Sequence, residues 1–134
     1  MTYAASLVQA NPSKPSVDPN VLAECIQACY DCAQACLACA DACMAEEDLH
    51  ELRQCIRLNQ DCADVCMVTV RVISRQTGYD AHVTKSLLEA CAATCKSCGD
   101  ECEHHAKMHK HCGICAEACQ RCEQACRELV GTIK

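Results

Sequence analysis

From Asn20 to Glu46 the chain repeats small or apolar residues in steps of three and four, with no glycine or proline, which is the period of an amphipathic helix. Asp18 followed by Pro19 supplies an N-cap and a favoured first-turn proline for this first long helix. Asp48, with Glu51 three residues on, predicts a capping-box-like start to a second helix, whose apolar pattern continues through Val72 and Ile73 until Gly78. Asp80 is placed to cap a third helix running from Ala81 towards His105, and the segment from His104 to His109 forms a polar corner. A fourth helix carries Cys112 to Val130 and meets Gly131 as its stop. Residues 1–18 are polar and proline-punctuated, and read as a tail with at most one short helix near Tyr3 to Gln9. The expectation is an all-α, up-and-down antiparallel four-helix bundle over residues 19–134, because short connections favour antiparallel neighbours.

The residues that face inward are unusual. In the first long helix Cys25, Cys29, Cys32, Cys36, Cys39 and Cys43 recur in steps of four and three, all on one stripe. Cys91, Cys95, Cys98 and Cys102 repeat the stripe on the third helix, and Cys112, Cys115, Cys119, Cys122 and Cys126 on the fourth. The second helix is thinner: Cys55, Cys62 and Cys66 keep the phase, and Asn59 takes the remaining position. Extending the stripes reaches Leu22, Ile73, Leu88 and Leu129, which share one end of such a bundle and predict an apolar plug. The opposite end gathers His105, His109, Cys43 and Met44, with His50 and His111 on nearby connections, and reads as a door. Cysteine is often no more than a small buried hydrophobe. Packing alone, however, would mix it with Leu, Ile and Val over several turns.

Composition sharpens the point, since 18 of 134 residues are Cys and the chain has no Phe, no Trp and three Tyr. In a short secreted chain that density would mean a disulfide scaffold. Residues 1–18 carry no basic run and no apolar stretch of signal-peptide length, and nothing approaches the ~20 apolar residues that span a bilayer. A cytoplasmic protein with reduced thiols is therefore expected, with no membrane partner. Twelve Lys and Arg are scattered among 18 Asp and Glu, for a net charge of -6, so nucleic acid is not an expected partner.

Soft thiolates select Cu(I), zinc or iron-sulfur clusters. Zinc prefers closed sets of four ligands, often on loops that wrap the ion, whereas a continuous tube of sulfurs on straight helices suits Cu(I) with bridging thiolates. One Cu(I) per thiolate leaves the core neutral, giving a capacity of about 18 ions. His105 and His109 continue the cysteine stripe and are candidate ligands at the door with His111, while Met44 and Met108 are candidate thioether partners and Met67 is packing. Asn59 is a candidate oxygen donor or hydrogen-bonding group. The alternative is a zinc or iron-sulfur protein with a structural or electron-transfer role.

These cysteine stripes, with a His and Met cluster at one end, resemble those of the copper storage proteins over Asp18 to Lys134. The missing export signal makes the chain similar to that family's cytosolic branch. The resemblance implies bundles that assemble into homotetramers and load many Cu(I) through one open end, without enzymatic activity. Pairs such as Cys29 with Cys32 match a redox Cys-x-x-Cys, but no strand pattern supplies the thioredoxin-like context. Glu47 with His50 and Glu101 with His104 match Glu-x-x-His, yet the second pair neighbours inward positions and points off the core face.

Overall fold

The stepwise pattern becomes five α-helices in a computed structural model that describes residues 1–134. Helix α1 spans Tyr3–Ala10, α2 Pro19–Met44, α3 Arg53–Ile73, α4 Ala81–His105 and α5 Lys110–Thr132, with a 3-10 turn at Leu49–Leu52. Helices α2 and α4 each pack against both α3 and α5, closing a ring of four, while α1 lies against α2. Sulfur contacts fix the directions. Cys25 meets Cys126 near one end and Cys39 meets Cys112 near the other, so α2 and α5 are antiparallel. Cys66 meets Cys91 and Cys55 meets Cys102, so α3 and α4 are antiparallel as well, and the pairs Cys36–Cys98 and Cys66–Cys122 meet across the diagonal. The molecule is an up-and-down four-helix bundle, and none of its helices is long and apolar enough to cross a membrane.

Helix α2 starts as its sequence requires. Asp18 Oδ1 accepts the backbone N–H groups of Asn20 and Val21 at 2.9 and 3.1 Å, with Pro19 in the first turn. Val17 and Leu22 occupy the two positions of a hydrophobic staple and are both buried, so the end of the N-terminal segment joins the core. Asp80 Oδ1 caps α4 through Val83 N–H at 3.0 Å.

Three boundaries differ from the sequence pattern. Asp48 makes no capping bond, because its carboxylate is taken by His109, 61 positions away, and a 3-10 turn intervenes before α3. Helix α3 ends at Ile73, ahead of Gly78, whose φ of 71° instead serves the turn into α4. Helix α5 continues through Gly131 to Thr132.

Small residues let the helices approach closely enough for short thiol side chains to meet. Ala28 and Ala33 on α2, Ala63 on α3, Ala92 on α4 and Ala116 on α5 are all buried beside cysteines. At Gly99 on α4 a Cβ would lie 3.2 Å from Cys119 Cβ and 3.8 Å from the Ala116 carbonyl oxygen on α5, so a side chain there would push the pair apart. Arg121 on α5 fixes the register against α2 by reaching Glu24 at 2.8 Å and Asp31 at 2.6 Å, an exposed network of modest energetic weight. One end of the bundle is closed by Leu22, Ile73, Leu88 and Leu129, each at most 1% exposed.

This apolar end and the helix contacts are complete without any metal, so circular dichroism of the fully reduced, metal-depleted protein should show a helical spectrum. Leu129→Ala, which opens a cavity in the closed end, should cost about 2–5 kcal/mol in urea unfolding of that form. A random-coil spectrum would refute the preformed bundle.

Candidate metal centre

All 18 cysteines are free and buried, and they form one connected interior. From the closed end inward, Cys25 meets Cys126 at 3.8 Å and Cys29 meets Cys122 at 3.7 Å. Cys66 meets Cys91 at 3.9 Å and both Cys95 and Cys122 at 3.8 and 3.9 Å. Cys32 lies 3.8 Å from both Cys62 and Cys119, and Cys36 lies 3.7 Å from both Cys115 and Cys119. Towards the other end Cys55 meets Cys102 at 3.7 Å and Cys39 meets Cys112 at 3.9 Å. These distances are far beyond the ~2.05 Å of a disulfide. With a metal–sulfur bond of about 2.3 Å, three sulfurs around one ion stand about 4.0 Å apart and four about 3.8 Å. The interior therefore already has the spacing of metal thiolates.

The sulfurs are also shared. Cys29, Cys91, Cys122 and Cys126 form one quartet whose ligand atoms lie within 4.8 Å of one another, and Cys122 belongs equally to a quartet with Cys32, Cys66 and Cys95. Cys32 and Cys36 complete another with Cys62 and Cys119, and Cys36 and Cys119 join Cys98 and Cys115 in the next. A set with Cys39, Cys43, Cys112 and His111 lies at the far end. Overlapping quartets suit bridging thiolates better than isolated, closed sites.

Asn59 sits fully buried inside this array. Its Oδ1 accepts S–H bonds from Cys98 and Cys115 at 3.1 Å and from Cys102 at 3.5 Å, and its Nδ2 donates to Cys55 Sγ at 3.5 Å. The amide thus occupies its cysteine-register position as a hydrogen-bonding hub.

The histidines separate. His111 alone among them touches sulfur: its Nδ1 lies 3.4 Å from Cys39 Sγ and 3.6 Å from Cys112 Sγ, while its Nε2 lies 2.8 Å from Glu46 Oε2. His109 faces two carboxylates, with Nδ1 2.8 Å from Glu46 Oε2 and Nε2 3.0 Å from Asp48 Oδ2. His105 Nε2 lies 2.8 Å from Glu101 Oε2, one turn back on α4. Glu101 is therefore drawn into an intrahelical pair, while His104 and His50 are exposed. Met44 and Met108 stand on the outside, 54% and 76% exposed. The partners Glu46, Asp48 and Glu101 carry no periodic signal that would single them out. Leu52 was legible in principle: it lies three residues before Cys55, on the same stripe, and is fully buried at this end.

At the His111 end of the array, burial raises two of the thiols. Desolvation first, then the neighbouring Cys55, pushes the Cys43 thiol up to about 11, and desolvation likewise raises Cys112. At the same end the bond from His109 holds the Asp48 carboxyl below its usual range, and Asp48 in turn raises His109. A thiol raised in the folded state favours folding below its unfolded pKa and loses that advantage as pH rises. The reduced, metal-depleted protein should therefore lose thermal stability between pH 9 and 11, as the unfolded chain's thiols ionise while Cys43 does not. An unchanged Tm across that window would show that these thiols are not held protonated.

Fold and site together define a helical bundle with a sulfur-lined interior dimensioned for many soft metal ions. The chain belongs to the copper storage protein family, whose model matches residues 18–131. It is similar to the copper storage protein Ccsp from Streptomyces lividans loaded with 10 copper equivalents, with a TM-score of 0.94 and 53% identity over 96% of this chain and 98% of that one. A cytosolic copper storage protein from Streptomyces lividans with five coppers gives a TM-score of 0.84 and 56% identity over 86% and 96% of the two chains. Apo copper storage protein 3 from Bacillus subtilis gives 0.69 and 40% over 79% and 95%. No curated protein is significantly similar to the chain.

Proposed function

We propose that the protein stores Cu(I) in the cytosol as a thiolate core inside a preformed bundle, with a capacity of about one ion per cysteine. The observation that carries this reading is the continuous array of 18 buried free thiols at metal-thiolate spacing. Each Cu(I) replaces one thiol proton, so loading leaves the charge of the protein unchanged and places neutral copper-thiolate units in a low-dielectric interior. His111 and Asn59 are the non-sulfur groups that touch this array, and they complete the proposed set of copper contacts.

Copper enters at the end that carries His111. The opposite end is sealed by leucine and isoleucine, whereas here the sulfurs of Cys39 and Cys112 give way to imidazole and carboxylate groups that reach solvent. Assembly into a homotetramer accompanies this reading through the family. The task is sequestration, with no catalytic step.

Anaerobic titration of the reduced protein with Cu(I) against a competing chromophoric chelator tests the capacity. Retention of about 18 equivalents is expected. Saturation at one to four would mean a discrete site and favour a zinc or iron-sulfur role. The direction of access is tested by timed alkylation of the native, reduced protein followed by peptide mapping. Cys39, Cys43 and Cys112 should be modified well before Cys25 and Cys126, and the reverse order would place the opening at the other end.

A further inference from the structure

Resting on that storage function, we infer that Glu46 is a positioning residue: it holds His111 in the tautomer whose Nδ1 lone pair faces the outermost thiols, with His109 and Asp48 as its brace. An ionised carboxylate only accepts hydrogen bonds. The 2.8 Å contact between His111 Nε2 and Glu46 Oε2 therefore places the ring hydrogen on Nε2. A neutral imidazole has one such hydrogen, so Nδ1 is left with a lone pair, 3.4 Å from Cys39 Sγ and 3.6 Å from Cys112 Sγ. A metal-binding histidine oriented through its other nitrogen by a carboxylate is a recurrent arrangement, and it raises the basicity of the donor nitrogen.

Glu46 lies just beyond the end of α2 and needs support to do this. The same Oε2 that accepts from His111 lies 2.8 Å from His109 Nδ1. A lone pair on that nitrogen would confront the lone pairs of the carboxylate, so Nδ1 of His109 carries hydrogen. Its Nε2 faces Asp48 Oδ2 at 3.0 Å, so both ring nitrogens of His109 are turned to carboxylates and neither faces the thiols. The His109 ring stacks on His111 with centroids 5.5 Å apart and planes 19° apart. Glu46 and Asp48, from the α2–α3 connection, thus clamp the start of α5 and set the His111 ring over Cys39 and Cys112. His109, though in register with the cysteine stripe, acts as a strut.

The tautomer is read directly from long-range proton–nitrogen correlation spectra of the reduced, metal-depleted wild-type protein labelled with ¹⁵N. Nδ1 of His111 should resonate as an unprotonated ring nitrogen, and a protonated Nδ1 would overturn the inference without any variant having to fold. A double-mutant cycle then tests whether Glu46 acts through His111, reading the affinity for the first Cu(I) equivalent by chelator competition. Glu46→Ala and His111→Ala are each expected to weaken that step by roughly 10–100-fold, and the double variant no further than His111→Ala alone. Multiplicative losses would show that Glu46 acts independently and would sink the proposal. The two readings fail separately. A wild-type capacity of a few ions would defeat storage while leaving the tautomer measurable, whereas a capacity near 18 with multiplicative losses would defeat only the role of Glu46.

Discussion

The spacing between sulfurs is the constraint on which the rest of the structure depends. An α-helix returns to the same face every three or four residues, and here nearly every such return on four helices delivers a thiol. Cysteine is short, so facing sulfurs meet at 3.7–3.9 Å only if the backbones approach closely. That requirement explains the alanines beside the stripes and the glycine at position 99, where α4 and α5 leave no room for a methyl group without displacement. A core of larger side chains would hold the helices further apart and break the sulfur array into separate sites. The absence of Phe and Trp from the chain is part of the same economy of volume.

A core of thiols also needs its two ends built differently. Leu22, Ile73, Leu88 and Leu129 supply at one end the apolar contact that sulfur alone provides weakly, and they exclude water from the deepest cysteines. At the other end the donors change from sulfur to nitrogen to oxygen over a few ångströms, through Cys39, His111 and Glu46. This order is chemically graded: soft ligands inside, a borderline imidazole between, and hard carboxylates outermost. Under the proposed entry at this end, a Cu(I) ion moving inward would meet progressively softer donors, and the gradient itself would give loading a direction.

The periodic half of this design was legible in the sequence and the long-range half was not. The steps of three and four revealed the helices, the inward face of every cysteine, the odd position of Asn59 and the four residues of the closed end, because each is set by local helical geometry. The partners of the histidines are set by how connections fold over one another. Asp48 reads locally as a helix cap, yet its carboxylate binds His109, and no pattern links positions 61 residues apart. His105 and His109 follow the stripe by register, but both lie where α4 gives way to the turn into α5, and nearby carboxylates take Nε2 of His105 and both ring nitrogens of His109. His111, expected on the connection as a ligand at the door, is the histidine that reaches the thiols, because α5 begins one residue before it.

Asn59 shows how such an interior tolerates a departure from its own rule. A buried amide without partners would be costly, but here three S–H groups converge on its oxygen and a fourth sulfur accepts from its nitrogen. The same bonds tie α3, α4 and α5 together in the half of the bundle nearer His111, and in the protonated protein they do so more directionally than sulfur–sulfur contacts can. Ionisation of Cys98, Cys102 and Cys115 would remove the three hydrogens that Oδ1 accepts and leave a neutral oxygen facing three thiolates. In the proposed storage state, cations among those sulfurs would offset that charge, so at this layer losing protons and gaining copper would be coupled by the amide as well as by charge.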